Sequence, residues 1–328
     1  MAILVTGGAG YIGSHMVLAL VDRGETVVVV DNLSTGHPWA LPPGVVLRGG
    51  DIGDAAFLEA VIREFDITEI AHFAAKIVVP ESVANPMLYY GNNTAKSRVL
   101  IETAIRCGVE RFIFSSTAAV YGDVSGDPVD EATPPLPVSP YGRSKLMTEW
   151  MLQDAAAAHG LKFIILRYFN VAGADPQGRT GQSFPNATHL IKVAVQTALG
   201  QRPHLDIFGT DYATRDGSCI RDYIHVTDLA TAHVDALNHL RRGGDSMILN
   251  CGYGRGFSVL EVVDVVRKVT GVNFEARLVP RRPGDPATIV AKSEKIRAAL
   301  NWTPKHDDLE EIVSSAFRWE RKLAGRNG

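Results

Sequence analysis

Ala2-Ile3-Leu4-Val5-Thr6-Gly7-Gly8-Ala9-Gly10-Tyr11-Ile12-Gly13 runs from an apolar strand pattern straight into a glycine-rich turn. Ser14–Asp22 behind it has the pattern of a helix. Glycines in such a turn permit the tight bend, let the backbone approach a pyrophosphate and pack helix on strand, while the helix N-terminus faces the anion. Thr26–Asp31 is a second buried strand pattern, closed by an acid about 20 residues beyond the turn. An acid there accepts a ribose 2′-hydroxyl and repels a 2′-phosphate, so the pattern implies NAD rather than NADP. Asp51-Ile52 follows a further strand-like stretch and is placed to bracket the adenine, although an Asp in a loop is also a common turn former.

Outward from this unit, buried strands fit Ile70–Ala75, Arg111–Ser116 and Phe163–Tyr168, and helices fit Met87–Cys107 and Ser144–His159. Strands that are apolar throughout, rather than alternating, indicate a parallel sheet covered on both faces. The expected class is α/β, a Rossmann-type doubly wound parallel sheet with a smaller mixed α/β C-terminal substrate-binding lobe. After Asn170 the texture changes: residues 171–187 form a long loop rich in Gly, Pro, Gln, Asn and Thr, of the kind that is usually functional. A helix near His189–Gly200, a strand at Leu205–Phe208 and a polar loop at Gly209–Gly217 follow, with Asp222–Val226 as a return to the parallel sheet. The expected division is a cofactor domain over 1–170, rejoined around 218–250, and a substrate lobe over 171–217 and 251–328.

The chain has 328 residues, a net charge of −3 and a sequence pI near 6.4, which argues against a nucleic-acid binder. Cys107, Cys219 and Cys251 lie far apart without metal-ligand spacing, so no metal and a reduced, cytoplasmic setting are expected. No basic leader precedes the first strand pattern and no apolar run reaches spanning length, so no membrane is expected.

Chemistry enters at Tyr141-Gly142-Arg143-Ser144-Lys145. Ser139-Pro140 ahead of it reads as an N-cap with Pro at the first helical position, which places Tyr141 and Lys145 on one helix face. A cation near a phenol, whose ordinary pKa is about 10, favours the phenolate and prepares it for proton transfer. Phe114–Gly122 ends a central strand, where ligands of such sheets sit, so the Thr117 hydroxyl completes a set with Tyr141 and Lys145.

With Thr6–Ser14 (TGGAGYIGS), Phe112–Gly122 (FIFSSTAAVYG), Tyr141–Lys145 (YGRSK), Leu166–Asn170 (LRYFN), Arg221–Val226 (RDYIHV) and Pro280–Asp285 (PRRPGD), the chain resembles the extended short-chain dehydrogenase/reductase family over essentially its whole length. The last three motifs resemble its nucleotide-sugar 4-epimerases. The resemblance implies interconversion of UDP-glucose and UDP-galactose through transient oxidation at sugar C4, rotation of the 4-keto sugar and reduction on its other face, with NAD kept bound. It implies that Tyr141 takes the sugar proton directly or through Thr117, and that Lys145 lowers the tyrosine pKa and holds the nicotinamide ribose. Gly7, Gly10, Tyr11, Ile12, Gly13, Asp31, Asn32, Asp51, Ile52, Ala74, Asn92 and Tyr168 fall at its cofactor positions. Lys76 comes one residue before the family's cofactor-contacting lysine, where this chain has Ile77, and stands as its replacement.

On the substrate side the resemblance implies that Arg221 and Arg282 clamp the diphosphate near Asn170, and that Asp285 binds ribose. His189, Leu190 and Phe208 fall at the uracil end. Ile289 sits where side-chain bulk gates the sugar pocket and leaves N-acetylhexosamines and pentoses open. His15, His72 and His225 are read as structural and Arg281 as a solvated surface residue. A dehydratase or decarboxylase on the same scaffold needs an acid beside the catalytic hydroxyl, where this chain has Ala118-Ala119. A redox-sensing NAD-binding regulator would have lost the Tyr–Lys pair, and an ordinary dehydrogenase would release its cofactor. Extra apolar positions on Met87–Cys107 and Ser144–His159 are where the resemblance places a homodimer interface.

Overall fold

Val28, Val29 and Val30 on one strand, and Leu4 and Val5 on its neighbour, have no exposed surface, so successive side chains are buried on opposite faces of one sheet. The computed structural model describes residues 2–124, 128–282 and 284–327; Met1 and Pro283 of the PRRPGD motif lie outside the described residues. In chain order the first half contains β1 (Ala2–Thr6), α1 (Tyr11–Val21), β2 (Val27–Asp31), β3 (Val46–Gly49), α2 (Ala55–Glu64), β4 (Ile67–His72), α3 (Val79–Ala84) and α4 (Pro86–Tyr89). A π-helical turn at Tyr90–Ala95 then leads into α5 (Lys96–Arg106), β5 (Arg111–Thr117), α6 (Pro140–His159) and β6 (Lys162–Tyr168). The second half has β7 (Asn170–Ala172), α7 (Leu190–Ala198), β8 (Leu205–Phe208), β9 (Ile220–His225), α8 (Val226–Arg241) and β10 (Met247–Cys251). It closes with β11 (Gly256–Ser258), α9 (Val259–Thr270), β12 (Ala276–Val279), β13 (Thr288–Ile289), α10 (Glu294–Leu300) and α11 (Leu309–Asn327).

Seven strands form the main sheet in the order β10-β6-β5-β4-β1-β2-β3, every pair parallel. Its two faces feed separate cores. Leu4, Val28, Ile70, Phe112 and Ile165 pack on one side with residues of α2, α5 and α6. Val5, Val29, Ala71, Ile113 and Ile164 pack on the other with α1 and α8, and this core continues into the second lobe. Burial on both faces explains why the strands read as unbroken apolar runs. The expected doubly wound class is the observed one.

Three segments differ from the sequence expectation. Asp222–Val226 does not return to the main sheet: β9 joins a smaller four-stranded sheet with β7, β11 and β13, and β10 is the strand that rejoins, beside β6. The reason lies in α8, which starts directly after β9, packs on α1, and carries the chain back across the sheet before a strand can pair. Strand β4 ends at His72; Phe73 N still donates to Thr6 O at 2.9 Å, and Ala74-Ala75 lie beyond the strand. Met87–Cys107 is helical but interrupted at the π turn, where the buried Asn93 amide accepts from Lys76 N at 2.8 Å and donates to Lys76 O at 2.9 Å and Ser144 Oγ at 3.1 Å. Turning Asn93 inward to those partners takes the extra residue per turn that a π segment supplies.

Helix α6 begins as its sequence implies, with Ser139 Oγ accepting from Gly142 N at 3.2 Å and Pro140 in the first turn. Phe112→Ala empties a fully buried site at the sheet centre and is expected to cost about 3–5 kcal/mol in a urea unfolding curve. The exposed Leu278→Ala is expected to change stability by no more than about 0.5 kcal/mol.

Candidate active site

A cavity of about 1500 Å³ runs along the carboxyl ends of β1, β2, β4 and β5 and continues past β7 to α7, β8 and β13. Every residue expected at the cofactor and substrate sites lines it, with Lys145 as the exception.

At one end lies the β1–α1 turn. Gly7 has φ +70°, and a Cβ on it would stand 2.6 Å from Ala74 N; one on Gly13 would stand 2.1 Å from Gly7 O. Both positions admit only glycine. No side chain caps α1, which opens on Gly10, so its first-turn amides at Tyr11, Ile12 and Gly13 are left for a ligand. Asp31, at the end of β2, accepts from Ala9 N at 3.0 Å and from Leu33 N at 2.8 Å and braces the turn from behind. Asn32 donates to Asp51 at 3.2 Å, and Asp51 pairs with Lys96 at 2.6 Å. Burial would raise the Asp51 pKa, but the Lys96 hydrogen bond and the Gly53 amide hold it below the usual carboxylate range. Ile52 is buried beside it. An uncapped helix N-terminus, glycines that a methyl would block, and a carboxylate at the second strand end fit a dinucleotide with a free ribose 2′-hydroxyl.

In the middle, Thr117 ends β5 and Tyr141 sits in the first turn of α6, both buried. Thr117 Oγ1 accepts from Ala119 N at 3.1 Å. The Tyr141 ring meets Tyr89 edge-on at 6.4 Å. Burial pushes the Tyr141 phenol up to about 12, with the Thr117 hydroxyl opposing the rise. Lys145 is buried beside them: its ammonium donates to Ser115 O at 2.9 Å and rests over the Phe114 ring at 4.9 Å. Burial pushes its pKa down to about 7, against the pull of Glu149. Burial thus drives both groups toward their neutral forms, the phenol up and the ammonium down. Tyr168, at the end of β6, is likewise raised by burial.

The far end is charged. Arg221 lies 4.0 Å from Asp285, and Arg282 donates to Asp285 at 3.0 Å while stacking over Phe208 at 4.3 Å. Asn170 opens β7, and Leu190 opens α7 directly after His189, whose pKa burial and Lys192 push down. Ile289 is buried in a cluster with Ala118, Val120 and Phe169. Lys76 is half-buried on the cavity wall beside the exposed Ile77. Asn92 also lines the wall and donates to Asn93 at 3.1 Å.

A model of the NAD dependent epimerase/dehydratase family matches residues 3–252. The chain is 59% identical over 98% of its length to the UDP-glucose 4-epimerase of Azospirillum brasilense, covering 92% of that protein. The UDP-glucose 4-epimerase of Brucella ovis, solved in complex with NAD, has a TM-score of 0.94 at 41% identity over 97% of each chain. That of Bifidobacterium longum, solved with NAD+ and UDP, has a TM-score of 0.93 at 36% identity over 98% of each. The chain belongs to the NAD dependent epimerase/dehydratase family.

Several cavity residues of this family member had no singling signal in the sequence. Lys96, Asn186 and Arg202 line the wall, and Asn93 ties the Lys76 backbone to Ser144 of α6. Residues 171–187 are marked by composition as a functional loop, but composition cannot say that residues 181–184, Asn186 and Ala187 line the cavity. The Asn92-Asn93 doublet carries a signal whose assignment to one residue needs the π turn. His15, His72 and His225 are buried and hydrogen-bonded, as expected of structural histidines. Arg281 is exposed and pairs with Asp211 at 2.7 Å. Among the described residues no group of three His, Cys, Asp or Glu could hold a metal ion, and no helix is long and apolar enough to cross a membrane.

The Tyr141 environment yields a titration test. In ligand-free protein, the ultraviolet difference between wild type and Tyr141→Phe is expected to show this tyrosinate only near pH 12. A midpoint near neutrality would mean that Lys145, not burial, governs the phenol.

Proposed function

We propose that the chain interconverts UDP-glucose and UDP-galactose with NAD as a resident cofactor. The observation that carries this is the single continuous space joining an anion-ready helix N-terminus, the Thr117–Tyr141 pair and an Arg221–Arg282–Asp285 cluster. The Gly7–Gly13 turn, Asp31 and the wall formed by Asn32, Asp51, Ile52, Ala74, Lys76, Asn92 and Tyr168 would hold NAD. When bound, NAD supplies the reversible two-electron oxidation at sugar C4.

Tyr141 accepts the proton of the sugar 4-hydroxyl, directly or through Thr117, and returns it. Reaching the phenolate requires overcoming its burial, so positive charge near the phenol, from Lys145 included, promotes turnover. Arg221 and Arg282 meet the diphosphate, and their shared carboxylate partner Asp285 serves the ribose. His189, Leu190 and Phe208 face the uracil. Fixing the nucleotide while the sugar stays loosely held lets a 4-keto sugar turn over and present its other face. Elimination chemistry is disfavoured, since Ala118 and Ala119 follow the catalytic hydroxyl. Ile289 narrows the sugar end less than a large aromatic would, which leaves room to test N-acetylated and pentose sugars.

Two lobes divide this work: a cofactor domain of residues 1–170 that the chain rejoins through α8 and β10, and a substrate lobe built from the remainder. Reduced Cys107, Cys219 and Cys251 suit a cytoplasmic enzyme of UDP-galactose metabolism. Met87, Leu88, Met147 and Trp150 are exposed apolar residues on α4 and α6. They support a homodimer closed through these helices. Light scattering at micromolar concentration is expected to give twice the chain mass, and a monomer mass would remove the dimer.

Purified protein without added NAD is expected to interconvert UDP-galactose and UDP-glucose by proton NMR, with UDP-N-acetylgalactosamine run in parallel to read what Ile289 permits. Tyr141→Phe should keep NAD and UDP binding while turnover falls by about 10²–10⁴. Verified bound NAD without interconversion of either sugar would overturn the epimerase reading.

A further inference from the structure

Directly beneath the Thr117–Tyr141 pair lies a buried ion pair that the proposed chemistry does not use. Glu149 has no exposed surface and Arg167 is 4% exposed. Arg167 donates to the carboxylate through Nε at 3.0 and 3.2 Å and through Nη2 at 2.6 Å. Ser116 Oγ donates to the same carboxylate at 2.5 Å. Arg167 Nη1 donates to the Tyr121 hydroxyl at 3.1 Å, which in turn donates to Asn250 Oδ1 at 2.6 Å.

Each partner is one step from a site residue. Ser116 precedes Thr117 on β5, Arg167 precedes Tyr168 on β6, and Glu149 follows Lys145 by four residues on α6. A buried ion pair is a poor device for stability alone, because desolvation offsets most of its attraction and an apolar pair of similar volume does as well. Its position between three site-bearing elements needs another reason.

We infer that Glu149 and Arg167 are positioning residues: their ion pair locks α6 to the ends of β5 and β6 and sets a negative charge one helical turn from the Lys145 ammonium. Residues four apart on a helix are neighbours on one face, so the carboxylate acts on Lys145 through protein rather than water. The other titratable groups around Lys145 do not supply that charge. His72 from β4 is kept neutral, its pKa pushed down to about 3 by burial and by Lys145 itself. Tyr141 and Tyr168 are raised by burial, and Tyr121 is raised by burial with Arg167 opposing. Glu149 is the group that pulls Lys145 back toward its charged form. The inference rests on the epimerase reading only for what the charge is used for.

The test therefore has a readout independent of turnover. Glu149→Gln alone leaves Arg167 buried without a counter-charge and risks misfolding, so the probe is the neutral double variant Glu149→Gln/Arg167→Met, with Glu149→Asp as the charge-keeping control. Lys145 is followed by side-chain NMR against pH, its signal assigned by its loss in Lys145→Met. The double variant is expected to fold, with the Lys145 midpoint below wild type by up to about one pH unit, the lost Arg167 charge opposing but not cancelling the loss of Glu149, the group that acts on Lys145, while Glu149→Asp keeps the wild-type midpoint. Turnover by the double variant should fall by up to about tenfold, a loss of one such unit in the charged form, with KM little changed. An unchanged Lys145 midpoint in a folded double variant overturns the inference. Inactivity of the wild type with NAD bound would instead overturn the epimerase reading and leave the Lys145 shift to be read by itself.

Discussion

Parallel pairing of β1 with both β2 and β4 sends the carboxyl ends of three neighbouring strands to one edge of the sheet. From β1 the chain winds to β2 and β3 on one side, then crosses back to β4, β5 and β6 on the other. Where the winding reverses, the connections leave in opposite directions and a crevice opens between them. Gly7, Asp31, Ala74 and Thr117 all leave the sheet at that edge. Two buried faces hold the strands in register, since a slip of one residue would exchange the contents of the two cores. The site is thus placed by the same packing that stabilises the domain.

Burial has an opposite consequence for the chemistry. Tyr141 and Lys145 are each driven toward neutrality, the phenol up and the ammonium down, because the space that excludes water also withdraws solvation from charge.

The second lobe is fastened to the first through the long loop after β7. Tyr11 donates from α1 to Gly173 O at 2.6 Å, Ser14 meets Thr180 at 3.0 Å, and Arg179 bridges Asp175 and Asp22. Lys192 pairs with Glu320 at 2.5 Å within the interior and donates to Gln182 O at 2.8 Å, and Trp319 covers Gly181. The loop therefore touches α1, whose N-terminus opens on the glycine turn, and, a few residues on, lines the cavity wall at Gln182 and Asn186. The glycine turn and the far wall of the cavity are thereby joined through one loop.

Local patterns carried the alternation of strand and helix, the glycine turn with Asp31, and the Ser139-Pro140 start of the catalytic helix, because each depends on neighbours within a few residues. Motif resemblance placed Arg221, Arg282 and Asp285, and the fold brings these three distant residues to one spot. Other features were invisible along the chain because they depend on contacts between elements far apart in sequence. The π turn exists because Asn93 reaches the Lys76 backbone and Ser144, and β9 leaves the main sheet because α8 packs on α1. Lys145 donates to Ser115 O, a partner that only the packing of α6 against β5 supplies. By itself the sequence determined the fold class, the glycine turn after β1 and the helix start that sets Tyr141 and Lys145 four apart, all matters of local periodicity and spacing. Only the tertiary structure decided which charges are solvated, which residues face the cavity and how the lobes are joined, because desolvation and long-range hydrogen bonds exist only once the chain is packed.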